Sequence, residues 1–139
     1  SFMIGMPGET PELAEQTIQN AIEIDPDYAQ FSIVCPFPGT QLAAEIKEGK
    51  WGKFISQDLV EYNTMKVTWL PFGYNSPEEL ENMERRAYRK FYLRPAYILK
   101  RILSIRSVED LKRYINGALA LVRGSYLFQF KKKENKINI

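Results

Sequence analysis

The chain has 139 residues, 45% hydrophobic and 26% charged, with a formal net charge of +2, which is the balance of a globular domain. It contains no histidine and a single cysteine, Cys35, which excludes an intrachain disulfide and argues against Ser-His and Cys-His hydrolases and against a self-contained metalloenzyme. No apolar run is long enough to span a bilayer, the first residues lack a signal-peptide layout, and the expected compartment is cytoplasmic.

Phe2-Met3-Ile4 reads as a short strand, apolar without alternation, as in a parallel sheet covered on both faces. Gly5 to Gly8 turn the chain, and Thr10 is placed to cap a helix whose first residue is Pro11. Leu13, Ala14, Thr17, Ile18, Ala21 and Ile22 give that helix one apolar stripe, and Asp25-Pro26 ends it. Tyr28 to Cys35 is the next strand, with Phe31, Ile33 and Cys35 on one face and Ser32 and Val34 on the other. Strand, helix, strand is a βαβ unit, which predicts that the two strands are parallel neighbours.

Pro36-Phe37-Pro38-Gly39-Thr40 is a second strand-to-helix turn, with Thr40 capping a short helix that holds Leu42, Ala43 and Ile46 and closes at Gly49. Residues 50–75 carry Trp51, Phe54, Tyr62, Trp69 and Phe72 without a period and read as mostly loop, with one short strand at 65–69. Ser76-Pro77-Glu78-Glu79 is a capping box that opens a helix with Leu80, Met83, Ala87, Tyr88 and Phe91 on its apolar face. A short helix over Tyr97–Leu103 and a third from Ser107 follow, and the end of the chain from Lys131 reads as a frayed tail.

Charge is divided unevenly. Residues 1–70 hold 4 Lys/Arg against 10 Asp/Glu, and residues 71–139 hold 15 against 7. A basic helical half can bind RNA or an acidic protein partner. The alternative is a set of solvated helix faces that pair with the acidic half, and the interleaving of the basic residues with an apolar stripe supports it.

In a parallel sheet, ligands bind beyond the carboxyl ends of the strands, where both turns lie. Glu9 is the strongly polar side chain of the first turn. It can face a ligand, or it can simply complement a helix N-terminus. Pro-Gly-Thr in the second turn also has an ordinary reading as turn-and-cap chemistry. Phe2–Ile4 needs a neighbour on its other edge, so the chain is expected to be the C-terminal fragment of a longer protein.

"FMIGMPGET", a helix, and then "DPDYAQFSIVCPFPGT" resemble the later part of the radical S-adenosylmethionine (radical SAM) domain, in the group whose longer members carry an N-terminal cobalamin-binding domain. "SPEEL" followed by "RAYRKFYLRP" resembles the helical segment after the barrel in that group, and the resemblance covers about residues 1–125. It implies an α/β fold, a fragment of a parallel (β/α) barrel over 1–70, a C-terminal helical extension over 71–130 and a flexible tail over 131–139. It also implies an enzyme that uses a 4Fe-4S cluster, held by a Cys-x3-Cys-x2-Cys loop absent from this chain, to cleave S-adenosylmethionine to a 5′-deoxyadenosyl radical. By this resemblance Gly5 and Glu9 lie near the bound S-adenosylmethionine, and Val34 and Pro36 lie along its adenine. Cys35 falls outside any cluster motif and reads as a core thiol. The implied partners are a substrate that the sequence does not name, the N-terminal remainder of the same protein and, upstream, a cobalamin domain. The isolated chain is expected to be inactive and to form a homodimer through its exposed strand edge.

Overall fold

The computed structural model describes residues 1–56, 67–103, 115–117 and 119. Two parallel strands, β1 (Phe2–Ile4) and β2 (Phe31–Ile33), pair in the register Phe2↔Phe31, Met3↔Ser32 and Ile4↔Ile33. Helix α1 (Pro11–Ile24) joins them, so the βαβ unit forms as the periodicity predicts. Ala14, Ile18 and Ala21 make its buried stripe, and α1 packs on β1. The helix ends at Asp25, a left-handed cap at φ 47° that donates its N–H to the Ile22 carbonyl, and Pro26 prevents continuation. Thr10 occupies the N-cap position, but its hydroxyl does not cap the backbone and serves the Glu12 carboxylate instead.

Strand β2 is shorter than the predicted Tyr28–Cys35 because its partner β1 has only three residues, so the ladder runs from the Gln30 carbonyl to the Val34 N–H and no further. Thr40 caps helix α2 (Gln41–Lys47), its Oγ1 accepting the Ala43 N–H at 3.2 Å and donating to the Phe37 carbonyl at 2.7 Å.

The stretch read as mostly loop contains an antiparallel ribbon, β3 (Gly52–Phe54) with β4 (Trp69–Pro71). The predicted strand at 65–69 therefore begins later. Residues 57–66 lie outside the described set. All three residues of β4 are buried, so no alternation marks it. Gly52 lies directly on the Leu70 backbone, where a Cβ would stand 2.2 Å from the carbonyl oxygen.

Helix α3 (Pro77–Tyr92) begins at the capping box, where Ser76 Oγ accepts the Glu79 N–H at 3.2 Å. The Glu79 carboxylate reaches one residue further back than the motif predicts, to the Asn75 N–H at 2.7 Å. Leu80, Ala87 and Phe91 are its buried stripe. Phe91 and Tyr88 meet the Phe31 ring edge-on, with centroids 6.1 Å and 5.4 Å away.

Glu84 lies on the same side of α3 and is partly buried. Burial, and then the Glu81 carboxylate, push its pKa up to about 7 from an ordinary 4.5. Such a group holds its proton more tightly in the folded state. Its contribution is complete below about pH 4.5 and is lost as pH rises towards 7. Glu84→Gln should abolish that decline and stabilise the chain at neutral pH by about 1–2 kcal/mol, after allowance for solvent screening. Urea unfolding at acid and neutral pH measures this.

The chain divides into two compact units, Ser1–Phe91 and Tyr92–Ile139. The first holds the α/β structure. The second contains α4 (Pro95–Leu103), in which the Arg94 and Arg101 guanidinium groups stand over the Tyr97 ring at 5.5 Å and 4.9 Å. The predicted third helix and the tail fall outside the described residues, apart from 115–117 and 119, which are helical. Among the described residues, no helix is long and apolar enough to cross a membrane.

Candidate functional site

The first turn is built around Glu9. Gly5 follows β1 at φ 79°, a conformation that admits glycine without strain, and its missing side chain leaves room for Leu80. This geometry brings the Gly5 N–H to Glu9 Oε1 at 2.7 Å. The Tyr74 hydroxyl donates to the same oxygen at 2.8 Å. Glu9 is only 7% exposed, so both donors act on a carboxylate withdrawn from water, where charge-assisted bonds are strong. Burial, and next the Glu9 carboxylate, raise the Tyr74 phenol above its ordinary range, so the phenol remains a donor.

The second turn lies at the same end of the parallel pair. Val34 N–H donates to the Ile4 carbonyl at 2.9 Å and extends the β1–β2 pairing by one bond. The Val34 carbonyl accepts the Trp69 indole N–H at 2.9 Å. Pro36 is fully buried, and the Cys35 thiol faces the buried Thr68 hydroxyl at 3.6 Å. Gly5 and Glu9 are thus joined directly, and Val34 is tied to the strand that leads into them.

The ribbon and the loop after it hold this end of the sheet. Trp69 anchors the ribbon to Val34, and Tyr74 anchors the loop to Glu9. Between them Gly73 is pressed against the Glu9 carbonyl oxygen, which would stand 2.0 Å from a Cβ at that position. Trp69, Gly73 and Tyr74 are the residues that the sequence reading missed. Their bonds and contacts at the site reach 35 or more residues back along the chain, which local periodicity does not report. Gly73-Tyr74 just before a capping box is the local hint that was available.

What the arrangement does chemically is hold a glycine turn in one shape. A buried carboxylate, two donors and a backbone-to-backbone contact fix the Gly5–Thr10 segment that leads into α1. Among the described residues, no group of three His, Cys, Asp or Glu side chains is placed to hold a metal ion.

No family model matches the chain, and no solved structure matches it significantly. It is similar to an uncharacterized methyltransferase of Pyrococcus horikoshii, with 36% identity over 125 residues, or 86% of this chain and 25% of the relative. It is also similar to the anaerobic magnesium-protoporphyrin IX monomethyl ester cyclases of Cereibacter sphaeroides and Rubrivivax gelatinosus. The first of these is 30% identical over 68% of this chain and 15% of the relative, and the second 27% identical over 70% and 17%. The chain therefore spans a quarter or less of the length of each relative, and all three relatives are named as enzymes. These similarities support the resemblance at the level of the radical SAM family, not of its cobalamin-bearing group.

Proposed function

We propose that this chain is part of a longer radical SAM enzyme, and that its two strand-to-helix turns flank the bound S-adenosylmethionine. The observation that carries the reading is the parallel β1–β2 pair with both turns at its carboxyl end, the place where α/β sheets bind ligands. Similarity over most of the chain to a named methyltransferase and to named ester cyclases supports it. When bound, a cluster held by the remainder of the enzyme would supply the electron, and S-adenosylmethionine the scissile S–C5′ bond. The single cysteine of this chain cannot ligate such a cluster, so the ligands belong to the remainder of the enzyme.

Within this reading the residues divide by role. Gly5 shapes the first turn and lends it a close backbone approach. Glu9, withdrawn and bonded to its own turn, positions that backbone. The half-buried Val34 side chain offers the adenine ring an apolar contact, backed by the fully buried Pro36, while the Val34 N–H and carbonyl are already bonded to Ile4 and Trp69. A cobalamin domain in the longer enzyme, and a substrate taken up beside the same end of the sheet, are the finer parts of the proposal.

The test is anaerobic. The longer protein, reconstituted with iron and sulfide and reduced with dithionite, should release 5′-deoxyadenosine from S-adenosylmethionine. The 139-residue chain alone should release none. Absence of 5′-deoxyadenosine from a longer protein that holds a reduced cluster would overturn the reading.

A further inference from the structure

Helix α4 buries one side chain and leaves an apolar surface open. Tyr97 is the buried residue, and the Tyr92 ring meets it edge-on with centroids 5.1 Å apart. Arg94 and Arg101, whose guanidinium groups stand over the Tyr97 ring, share its side of the helix at about 100° per residue. Ile98, Ile102, Leu99 and Leu103 follow one another around the rest, over an arc of roughly 140°. All four are exposed, Leu103 the most at 78%. Apolar residues scattered singly over a surface are ordinary, but four on one arc of a nine-residue helix form a patch that marks an interaction site.

Cations bracket that arc. Around the helix, Arg94 and Arg101 stand beside Ile98 at one margin, and Lys100 lies beyond Leu103 and Ala96 at the other. Stacking on Tyr97 holds the two arginines at their margin, and Lys100 is exposed. From Tyr92 to Leu103 the chain contains no Asp or Glu. An apolar arc between cationic margins suits a helix that lies in the plane of a membrane surface. Its apolar side chains enter the acyl boundary, and the long stems of Lys and Arg carry their charges back to the phosphates. At about 14 Å, α4 is far shorter than a hydrocarbon core of about 30 Å, so it can rest on a bilayer but not cross one.

We infer that α4 docks the protein on an anionic lipid surface, with Ile98, Leu99, Ile102 and Leu103 in the interface and Lys100 and Arg101 at the level of the headgroup phosphates. The inference concerns α4 and does not depend on the reading of the two turns as an S-adenosylmethionine site. Charge selects this occupant. A second copy, laid arc against arc, would set Lys100 and Arg101 against the same cations of its partner, and α4 carries no carboxylate to answer them. A protein partner would have to combine an apolar groove with carboxylates on both of its rims. An anionic bilayer presents hydrocarbon below and phosphate on every side at once, which matches both parts of the pattern.

Cosedimentation with vesicles tests this, using the 139-residue chain and the longer protein. Both should partition at least about tenfold more strongly onto phosphatidylcholine vesicles that contain phosphatidylglycerol than onto phosphatidylcholine alone, and salt should weaken that binding. Leu99→Gln combined with Leu103→Gln alters two exposed positions and no charge. It should leave the circular dichroism unchanged and lower the partition at least about tenfold. Lys100→Gln should lower it about fivefold. Absence of sedimentation with the anionic vesicles would overturn the proposal. Binding that the leucine pair does not affect would overturn it too, because charge elsewhere in the basic half would then be responsible. Binding by the chain but not by the longer protein would give the patch to the remainder of the enzyme. Loss of self-association in the leucine variant, with vesicle binding intact, would give it to a second copy. Either result rejects the lipid surface as the occupant. None of these readouts involves S-adenosylmethionine cleavage, so failure of the enzymatic reading leaves a separate signature.

Discussion

Gly73→Ala should destabilise the chain by at least about 3 kcal/mol, the upper part of the range for overpacking a site that cannot relax. The new methyl carbon would stand 2.0 Å from the Glu9 carbonyl oxygen and 3.1 Å from the Thr10 Cα. Those atoms are backbone, not the end of a flexible side chain. They also belong to the turn that Gly5 N–H and Tyr74 O–H already pin through Glu9, so the turn cannot move aside without breaking those bonds. Urea unfolding of the wild type and the variant measures the loss. Gly117→Ala is the control, because among the described residues a Cβ there meets nothing within 4 Å and alanine is the better helix former. It should be neutral or mildly stabilising. A Gly73→Ala variant as stable as the wild type would mean that the loop does not bear on the turn.

Local information carries most of what is legible in the sequence, although the Thr10 hydroxyl does not cap α1 as its position suggests, and contacts distant in the chain carry what is not. The apolar stripe of α1, the Asp25-Pro26 stop, the Thr40 cap and the Ser76 box each depend on residues within a few positions of one another, and each is found. The ribbon was hidden because its burial comes from three consecutive residues, Trp69, Leu70 and Pro71, against a glycine partner. Strand patterns advertise themselves by alternation, and none is present. At the site, Gly5 and Glu9 were legible as a glycine turn with one acid. The direction of the acid was not, because it is decided by Tyr74, 65 residues further on. The same holds for Tyr88, whose helical spacing marks it as core and gives no sign that its hydroxyl bonds the Phe31 backbone, 57 residues away.

Glu9 supplies the second large effect, with three substitutions that separate its roles. Glu9→Ala leaves the Gly5 N–H and the Tyr74 hydroxyl buried without their acceptor, and should cost about 3 kcal/mol. Glu9→Gln keeps a carbonyl oxygen for both donors and loses the charge, which should cost about 1 kcal/mol. Tyr74→Phe removes one donor from a buried carboxylate and should cost about 2 kcal/mol. Because Tyr74 and Glu9 are in direct contact, the Glu9→Ala and Tyr74→Phe losses should fall short of additivity by about 1–2 kcal/mol when combined. In the longer enzyme, a Glu9 that acts by holding the turn predicts graded S-adenosylmethionine cleavage: near wild type for Glu9→Gln, reduced for Tyr74→Phe and lowest for Glu9→Ala, in the order of the stability losses. A Glu9 that meets the cofactor through its charge predicts something else. Glu9→Gln and Glu9→Ala would then lose cleavage equally, and Tyr74→Phe would keep it. The burial of Glu9 and the convergence of both donors on one oxygen favour the graded result.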